Sequence, residues 1–389
     1  MNIVIPVGGG TPVSVSRKDV NFYDYEGTLL FAYTIAEAQA LTALPTQPTH
    51  AGLTGQGWNY TLVQVKALTQ KCDVGAMYIT DDGKTRLYIT LDARRVVPLY
   101  WSQTVSEGVT VDWGDGATET FASTGYKNTT HTYATAGDYV ITLYPAEGCT
   151  LGLGNGTAPT VVIGSNVQGY RDVLRKAEIG VRVTYIGGYA FYYCHSLSSI
   201  IIPSGVTNIG NYAYNSCHSL SSIVIPSSVT GIGTYVFQYC SSLSSVVIPS
   251  SVTSIGNLAF ESCISLSSIV IPSGVTSIAG YTFQQCSSLS SIVIPSSVTS
   301  IGDNMFQYCS SLSSIVIPSS VTSIGYSAFG SCAFIKEYHF QSATPPTLIS
   351  SSAFTSIPSD CIIYVPTASV DAYKAATNWS THAAKMVGE

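Results

Sequence analysis

Charged residues are scarce in this chain. Asp, Glu, Lys and Arg make up only 10% of its 389 residues, against about 25% in typical globular domains. Between Cys194 and Cys332 there is no Lys or Arg, and the only acidic residues are Glu261 and Asp303. Because nucleic-acid binding requires cations that displace counterions from phosphates, this composition argues against a nucleic-acid partner.

Long apolar runs and targeting signals are also missing. No segment reaches the roughly 18 consecutive apolar residues that a membrane-spanning helix needs. The N-terminus, from Met1 to Val7, has neither a basic segment nor a long apolar one. The sequence therefore predicts no membrane partner and no signal peptide.

Catalytic motifs are absent as well. The segment Gly83-Lys84-Thr85 lacks the upstream glycine of a phosphate-binding loop, because Tyr78 stands in that place. Neither a Gly-x-Ser-x-Gly turn nor a His-Glu-x-x-His helix occurs. Although a catalytic triad assembled in space leaves no sequence motif, we predict a protein that is not an enzyme and uses no cofactor.

What the sequence does have is a 23-residue period in its C-terminal half. The consensus, read from Ile269, is Ile-Val-Ile-Pro-Ser-x-Val-Thr-Ser-Ile-Gly-x-x-x-Phe-x-x-Cys-x-Ser-Leu-Ser-Ser. Columns of Phe, Leu and Pro recur with this period. One cysteine recurs at each step: Cys194, Cys217, Cys240, Cys263, Cys286, Cys309 and Cys332.

The repeat predicts a stacked solenoid. Its β-branched Ile-Val-Ile segment, ended by proline, predicts one strand, and the Ala-Phe-x-x-Cys spacing predicts one helical or 3₁₀ turn. Burying about seven apolar side chains contributes roughly 10–20 kcal/mol, whereas ordering one repeat costs roughly 23–46 kcal/mol. One repeat cannot fold alone, so neighbours must stack. The expected parallel strands centre on Ile201, Val224, Val247, Val270, Val293 and Val316.

The cysteine column has two interpretations, a ladder of disulfides or metal ligands and a column of small buried hydrophobic residues. Seven is an odd number, and no column of histidines accompanies the cysteines. Zinc-ligand spacing such as Cys-x-x-Cys is also missing. We therefore predict reduced, buried thiols and no metal site.

The repeat resembles the BspA-like leucine-rich repeat family from about Val183 to Phe340, and the tail with Ala343-Thr344-Pro345-Pro346 is similar to that family's C-terminal end. This resemblance implies adhesion at a cell surface or outside the cell, with no catalytic residues to transfer.

Two N-terminal segments resemble other modules. The run from Val111 to Gly116 with His131-Thr132-Tyr133 looks like a PKD domain, an immunoglobulin-like sandwich, in which 77–80 and 85–91 would form a hairpin. Its Asp112 and Asp115 fit either a Ca²⁺ site or turn chemistry. Upstream, the segment from Val20 to Leu29 with a later Gly-Trp is similar to the internalin-type B repeat (Listeria–Bacteroides repeat), although the Ala-rich stretch at 36–44 looks helical.

The predicted fold class is mainly β, with small N-terminal β modules (β-grasp-like and an Ig-like, PKD-like sandwich) followed by a leucine-rich-repeat solenoid with a parallel sheet. The expected division is a tail at 1–16, a B-repeat-like module at 17–75, a PKD-like domain at 76–150, the solenoid at 151–345 and a C-terminal cap at 346–389.

The sequence favours a recognition protein that binds a cell-surface glycan or protein through its solenoid. The favoured hypothesis is a bacteriophage virion protein, a tail or head fibre or a decoration protein, because such a protein would need no export signal. Its N-terminal modules would contact other virion proteins. A secreted bacterial surface adhesin and a purely structural spacer are the alternatives. The expected localisation is thus the virion, the cell surface or the extracellular space, and a homo-oligomer is compatible with each of them.

Variation between repeats points to the binding surface. Phe, Cys, Leu and Pro hardly change, whereas two columns before the cysteine vary among Tyr, Ser, Asn and Gln, a mixture typical of antibody binding sites. The candidate ligand-binding residues are Tyr189, Tyr193, Tyr212, Tyr235, Tyr239, Tyr281 and Tyr308. The rival surface is the uniform outward column of the predicted strands, from Ile201 to Val316.

Overall fold

The computed structural model describes residues 3–5, 13–15, 18–23, 29–50, 53–58, 62–66, 72–80, 82–92, 95–105, 107–154, 161–163, 170 and 172–389. Within them, a small N-terminal sheet is followed by two layered sheets and a β-solenoid of about nine coils. The mainly β fold class with a parallel-strand solenoid, predicted from the sequence, is confirmed.

The N-terminal region contains an antiparallel pair and a four-stranded mixed sheet. Strands β1 (Ile3–Ile5) and β2 (Val13–Val15) form the pair. Strands β3 (Val20–Tyr23), β4 (Leu29–Tyr33), β5 (Leu53–Trp58) and β6 (Cys72–Thr80) form the sheet in the order β4-β3-β6-β5, with helices α1 (Ile35–Gln39) and α2 (Leu62–Lys66). A capping box between Thr34 and Glu37 begins α1, so part of the Ala-rich stretch is helical as expected.

The second region consists of two sheets packed around a core that includes Trp101 and Trp113, both buried. The Tyr133 hydroxyl donates to the Trp113 carbonyl oxygen at 2.8 Å, which ties two strand ends together inside this core. The strands are β7 (Thr85–Leu91), β8 (Val96–Gln103), β9 (Val109–Asp112), β10 (Thr118–Phe121), β11 (Gly125–Thr132), β12 (Gly137–Pro145) and β13 (Leu151–Leu153).

The solenoid has two columns of strands, of which only the first was predicted. The first column comprises β14 (Leu174–Glu178), β16 (Ser199–Ile201), β18 (Ser222–Val224), β20 (Ser245–Val247), β22 (Ser268–Val270), β24 (Ser291–Val293), β26 (Ser314–Ile317), β28 (Glu337–Phe340), β30 (Ile362–Val365) and β31 (Met386–Gly388). The second comprises β15 (Val183–Ile186), β17 (Asn208–Ile209), β19 (Gly231–Ile232), β21 (Ser254–Ile255), β23 (Ser277–Ile278), β25 (Ser300–Ile301), β27 (Ser323–Ile324) and β29 (Thr347–Leu348).

The sheets of the second region run directly into the solenoid. Strand β7 pairs antiparallel with β14, which pairs in parallel with β16. In the other layer, β8 pairs antiparallel with β13, which pairs in parallel with β15. Both layers therefore continue into the first coil, and one hydrophobic core extends from Leu87 to Met386.

The expected hairpin of 77–80 with 85–91 is wrong. Strand β6, which contains 77–80, pairs with β3 and β5 in the N-terminal sheet, and β7 pairs with β12 and β14. The Asp-Asp-Gly segment between them has the residues of a tight turn, but the strand partners lie elsewhere along the chain.

Side chains alternate along the first strand column as the sequence predicted. Ile269 in β22 and Ile271, the residue directly after this strand, are both buried, whereas Val270 between them is half-buried. Below them, a column of aromatic rings fills the coil centres, with centroids 5.3–5.7 Å apart and planes within 14° of parallel. Its members are Phe191, Tyr214, Phe237, Phe260, Phe283, Phe306, Phe329 and Phe354.

The seven repeat cysteines are free and buried. From Cys217 to Cys332, each Sγ donates a hydrogen bond of 3.1–3.2 Å to the backbone oxygen 26 residues earlier, in the preceding coil. Burial raises the pKa of these thiols, to about 12 for Cys240. The column thus consists of small apolar side chains, each of which, from Cys217 onward, adds a second hydrogen bond to a carbonyl oxygen that already accepts a backbone N–H, for example that of Phe260. Protonated thiols are weak nucleophiles.

Tyr214 is the one tyrosine in the ring column, and its buried hydroxyl has no hydrogen-bond partner among the residues that the structure describes. An unsatisfied buried hydroxyl destabilises a fold by about 1–3 kcal/mol. We therefore expect Tyr214→Phe to raise the free energy of unfolding by roughly 1–2 kcal/mol, measured by chemical denaturation. The reciprocal control, Phe237→Tyr, should lower it. A less stable Tyr214→Phe protein would show that the hydroxyl is satisfied in solution.

The C-terminal segment closes the last coils. Helix α3 (Val370–Ala375) and 3₁₀ turns at Ser351–Phe354, Thr367–Ser369 and Ser380–Lys385 surround Trp379. This indole is fully buried against Phe340 and Phe354, and its Nε1 donates to the Pro346 carbonyl oxygen at 2.7 Å. A polar outer layer over a buried tryptophan is what the end of a solenoid requires.

Candidate binding surface

The corners of the solenoid, between the second strand column and the cysteines, are successive hydrogen-bonded turns. In the corners from Tyr189 to Ser331, the helical or 3₁₀ turn predicted from the i, i+3 spacing is wrong, because two residues in each have positive φ angles. The corner of the last coil does contain a 3₁₀ turn, at Ser351–Phe354. All seven predicted binding tyrosines occupy these positions, with φ between 58° and 64°: Tyr189, Tyr193, Tyr212, Tyr235, Tyr239, Tyr281 and Tyr308.

Backbone hydrogen bonds between coils hold the corners in this conformation. The Tyr189 N–H donates to the Asn211 oxygen at 3.0 Å, and the Tyr193 N–H donates to the Asn215 oxygen at 2.9 Å. A left-handed conformation costs a residue other than glycine about 1–2 kcal/mol. Because the bonds recur from coil to coil, the stacking stabilises a backbone that places both side-chain columns on the solenoid surface.

Three of the tyrosines, Tyr189, Tyr212 and Tyr235, stack on one another. Their ring centroids are 4.7 and 4.4 Å apart, and the planes are within 13° of parallel. Tyr192 lies edge-on against Tyr189 at 5.2 Å and against Tyr193 at 4.2 Å. These stacked tyrosines are half-buried, so they present ring edges and hydroxyl groups to the solvent rather than open faces.

Tyr239, Tyr281 and Tyr308 differ from that stack. They are 45%, 37% and 48% exposed, and no aromatic ring lies against them within the part of the chain that the structure describes. Their column neighbours are Ser, Gln, Leu or Asn. We refer to these three as the open tyrosines, because their ring faces are accessible to a ligand.

A buried polar ladder lies between the two tyrosine columns, and sequence reasoning missed it. Asn215 donates to Gln238 at 2.6 Å, and Gln238 donates to a carboxylate oxygen of Glu261 at 2.7 Å. All three side chains are at most 8% exposed. The charge of Glu261 raises the pKa of the Tyr239 phenol. The sequence signal was a polar residue at one fixed position in successive repeats.

The rival surface, the outward column of the first strands, is not uniform in exposure. Val247 is only 5% exposed, whereas Val316 and Val293 are 47% and 66% exposed. The C-terminal part of that stripe is therefore its most exposed part, whereas Ile201, Val224 and Val270 are half-buried. Its valines offer apolar contact without the hydrogen-bonding groups that distinguish one ligand from another.

A groove of about 610 Å³ runs beside the stacked tyrosines. Tyr189 and Tyr212 form one wall, and Asn208 contributes to the lining. Glycines form much of the floor; at Gly210 a Cβ atom would lie only 2.4 Å from the Gly188 nitrogen. Among the described residues that line the groove, none carries a charged side chain.

The two aspartates considered for calcium binding act in a turn. Asp112 accepts a hydrogen bond from the Gly114 N–H at 2.9 Å, and Asp115 accepts one from the Ala117 N–H at 3.0 Å. Asp115 also lies 2.7 Å from His131 Nε2, which lowers the pKa of Asp115. Among the described ranges, no group of three or more His, Cys, Asp or Glu residues is arranged to hold a metal ion.

A family model described as "BspA type Leucine rich repeat region" matches the chain in two overlapping spans, 162–289 and 230–361. No curated protein sequence matches. In the part of the chain that the structure describes, no helix has both the length and the apolar character needed to cross a membrane.

Several solved structures are similar to the chain. A leucine-rich repeat protein of T. pallidum is 29% identical, covers 48% of this chain and 82% of its own, and superposes with a TM-score of 0.37. A leucine rich cell surface protein of Faecalibacterium prausnitzii is 25% identical, covers 48% and 72%, and has a TM-score of 0.32. The pneumococcal vaccine antigen PcpA is 16% identical, with coverage of 54% and 64% and a TM-score of 0.34.

Proposed function

Because the chain belongs to the BspA-type leucine-rich repeat family, we propose that it is a non-enzymatic adhesin that binds a surface glycan or protein through the corner face of its solenoid. The observation that carries this proposal is the set of open tyrosines, Tyr239, Tyr281 and Tyr308, exposed at 37–48% on a backbone held by the neighbouring coils. Tyrosine supplies rigid contact area at a low cost in conformational entropy.

The composition of this face supports recognition rather than a passive covering. A surface that only had to remain hydrated would be expected to use Lys and Glu, whose charges improve solubility. Instead the coils carry large aromatic side chains beside Ser, Gln and Asn, and no Lys or Arg occurs between Cys194 and Cys332. Aromatic residues are enriched where proteins bind their partners, whereas Lys and Glu are depleted there.

The test compares two variants of the full chain. In the first, the open tyrosines are all replaced by Ser, which already occurs with positive φ at Ser216 and Ser262 in the column of Tyr239 and Tyr308, and at Ser327 in the column of Tyr281. In the control, Tyr326→Ser removes a tyrosine that is 54% exposed but lies outside the two columns. Binding of fluorescent protein to human epithelial cells and to gut bacteria is measured by flow cytometry.

We expect the triple variant to bind at least about tenfold more weakly to the cells that the unchanged protein recognises, and the control to bind normally. Equal binding by both variants would remove the open tyrosines from the proposal and leave the strand face from Val293 to Val316 to be tested. Failure of the unchanged protein to bind any cell would favour the spacer role.

A virion attachment protein is a second candidate. The observation that favours it is the column of reduced cysteines, because free thiols fit a protein that folds and assembles in a reducing cytoplasm. In the same cell panel, an adhesin of a host-associated bacterium should bind the epithelial cells. A phage fibre should bind only bacteria, and only certain strains.

A further inference from the structure

The open tyrosines differ in their surroundings, and those of Tyr308 combine a cavity with several polar side chains. A cavity of about 390 Å³ adjoins its ring and is lined by Ile264, Gln285, Ser287, Tyr308, Ser310 and Ser331. This volume lies within the ~300–1,000 Å³ range of small-molecule sites. We call these six residues the Tyr308 cradle.

Two donors in the cradle are available to a ligand. The Ser262 hydroxyl lies 2.9 Å from a Glu261 carboxylate oxygen and 3.0 Å from the Gln285 side-chain oxygen. Its single proton serves one of these two acceptors, and because the Gln285 amide carries two N–H groups, at least one of them stays available in either amide orientation. Within the described ranges, neither the Gln285 Nε2 nor the Tyr308 hydroxyl has a hydrogen-bond partner. The Ser310 hydroxyl donates to the Ser287 carbonyl oxygen at 3.3 Å, so its own oxygen remains an acceptor.

Ile264 is the residue that departs from the repeat. The equivalent positions in neighbouring coils hold small polar residues, Ser241, Ser287 and Ser310. The isoleucine side chain is 47% exposed on the surface, where it contributes little to the core. Ile264 lies two coils before Tyr308, and both side chains line the same cavity together with Gln285 and Ser287 of the intervening coil. The cavity therefore has two apolar parts, an isoleucine and an aromatic ring, with amide and hydroxyl groups between them.

The cradle carries no charged side chain, and no Lys or Arg occurs anywhere between Cys194 and Cys332. A carboxylate or phosphate would lose water there without gaining a cation, which is unfavourable. An uncharged ligand with one apolar face and several hydroxyl groups meets no such penalty. Neutral pyranose rings have this pattern, since the axial C–H groups of one face are apolar and the hydroxyls project from the rim.

We propose that the Tyr308 cradle binds one ring of an uncharged saccharide. This inference rests on the proposed adhesive function and specifies its ligand class. The C–H face of the sugar lies on the Tyr308 ring and touches Ile264. The Gln285 Nε2 donates to a sugar hydroxyl, and the serine hydroxyls of Ser287 and Ser331 complete the contacts. The stacked tyrosines cannot offer the same platform, because their faces cover one another.

The experiment uses saturation-transfer-difference NMR on the full chain with soluble galactose, N-acetylglucosamine and N-acetylgalactosamine, and with sialyllactose as a charged comparator. We expect millimolar binding of at least one neutral sugar, an affinity typical of a single shallow contact. Sialyllactose should contribute signal only from its neutral rings. Tyr308→Ser and Ile264→Ser, each restoring a residue that the repeat already uses, should weaken binding about three- to tenfold.

Three controls make the outcome decisive. Tyr308→Phe keeps the ring face and should retain most of the affinity, whereas Tyr326→Ser should change nothing. If no neutral sugar binds, or if Tyr308→Ser and Ile264→Ser bind sugar normally, the saccharide assignment is wrong. The adhesive function would still stand if the unchanged protein bound cells and the triple tyrosine variant did not, so the two failures are distinguishable.

Discussion

Phe260→Ala is expected to lower the free energy of unfolding by about 3–5 kcal/mol. The Phe260 ring is fully buried and stacks between Phe237 and Phe283, at 5.4 and 5.6 Å. Removing it leaves a cavity inside a coil whose backbone is held on both sides, so the surroundings cannot collapse onto the space. Chemical denaturation followed by circular dichroism measures the loss.

The controls for this prediction come from the same ring column. Phe260→Leu retains most of the apolar volume and should cost less than half as much. Phe329→Ala should cost as much as Phe260→Ala, because Phe329 lies between Phe306 and Phe354 in an unbroken column. A loss below about 1 kcal/mol at Phe260 would contradict the stacked core.

Trp379→Ala should have an effect of similar size, about 3–5 kcal/mol, but in a different place. The indole packs on Phe340, Phe354 and Tyr373 at 5.1–5.6 Å between centroids, and its N–H satisfies the Pro346 carbonyl. Without it, the last coil loses the cover of its aromatic core. Hydrogen exchange should therefore accelerate first in β30 and β31, while the central coils remain protected.

Trp379→Phe is the matched variant for the cap. It keeps an aromatic ring but removes the N–H donor, so the cost should fall to roughly 1–3 kcal/mol. If Trp379→Ala instead accelerated exchange uniformly over all coils, the solenoid would unfold as one unit and the cap would have no local role.

The sequence was sufficient to predict the structural features that recur in every repeat. The 23-residue period was enough to predict the parallel strand column, the buried cysteines and the inward-facing isoleucines, because each of these follows from a residue type that recurs at a constant spacing. The period also located the variable corner columns that hold the candidate tyrosines. Stacking geometry is implicit in such a pattern, since equivalent residues in adjacent coils must lie side by side.

The sequence did not reveal features that depend on backbone angles or on distant partners. The i, i+3 spacing of the corner is compatible with a helical turn, and nothing in the residue types showed that Tyr189 or Tyr308 would have positive φ. The second strand column is too short to give an alternation signal. The partner of β7 is β14, almost ninety residues away, and no local pattern identifies such a pairing. The sequence likewise does not distinguish an exposed tyrosine from a stacked one, because the residue type is the same.

The contacts between adjacent coils have a consequence for how the number of repeats in this chain can evolve. Residues 286–302 are identical to residues 309–325, and each coil touches only its neighbours, while different structures close the two ends. Unequal recombination between such copies would delete or duplicate one whole coil without creating a mismatched junction. The length of the protein can thus vary in steps of one repeat. The Tyr308 cradle, which draws on residues from successive coils, would be altered only when the exchange falls within it.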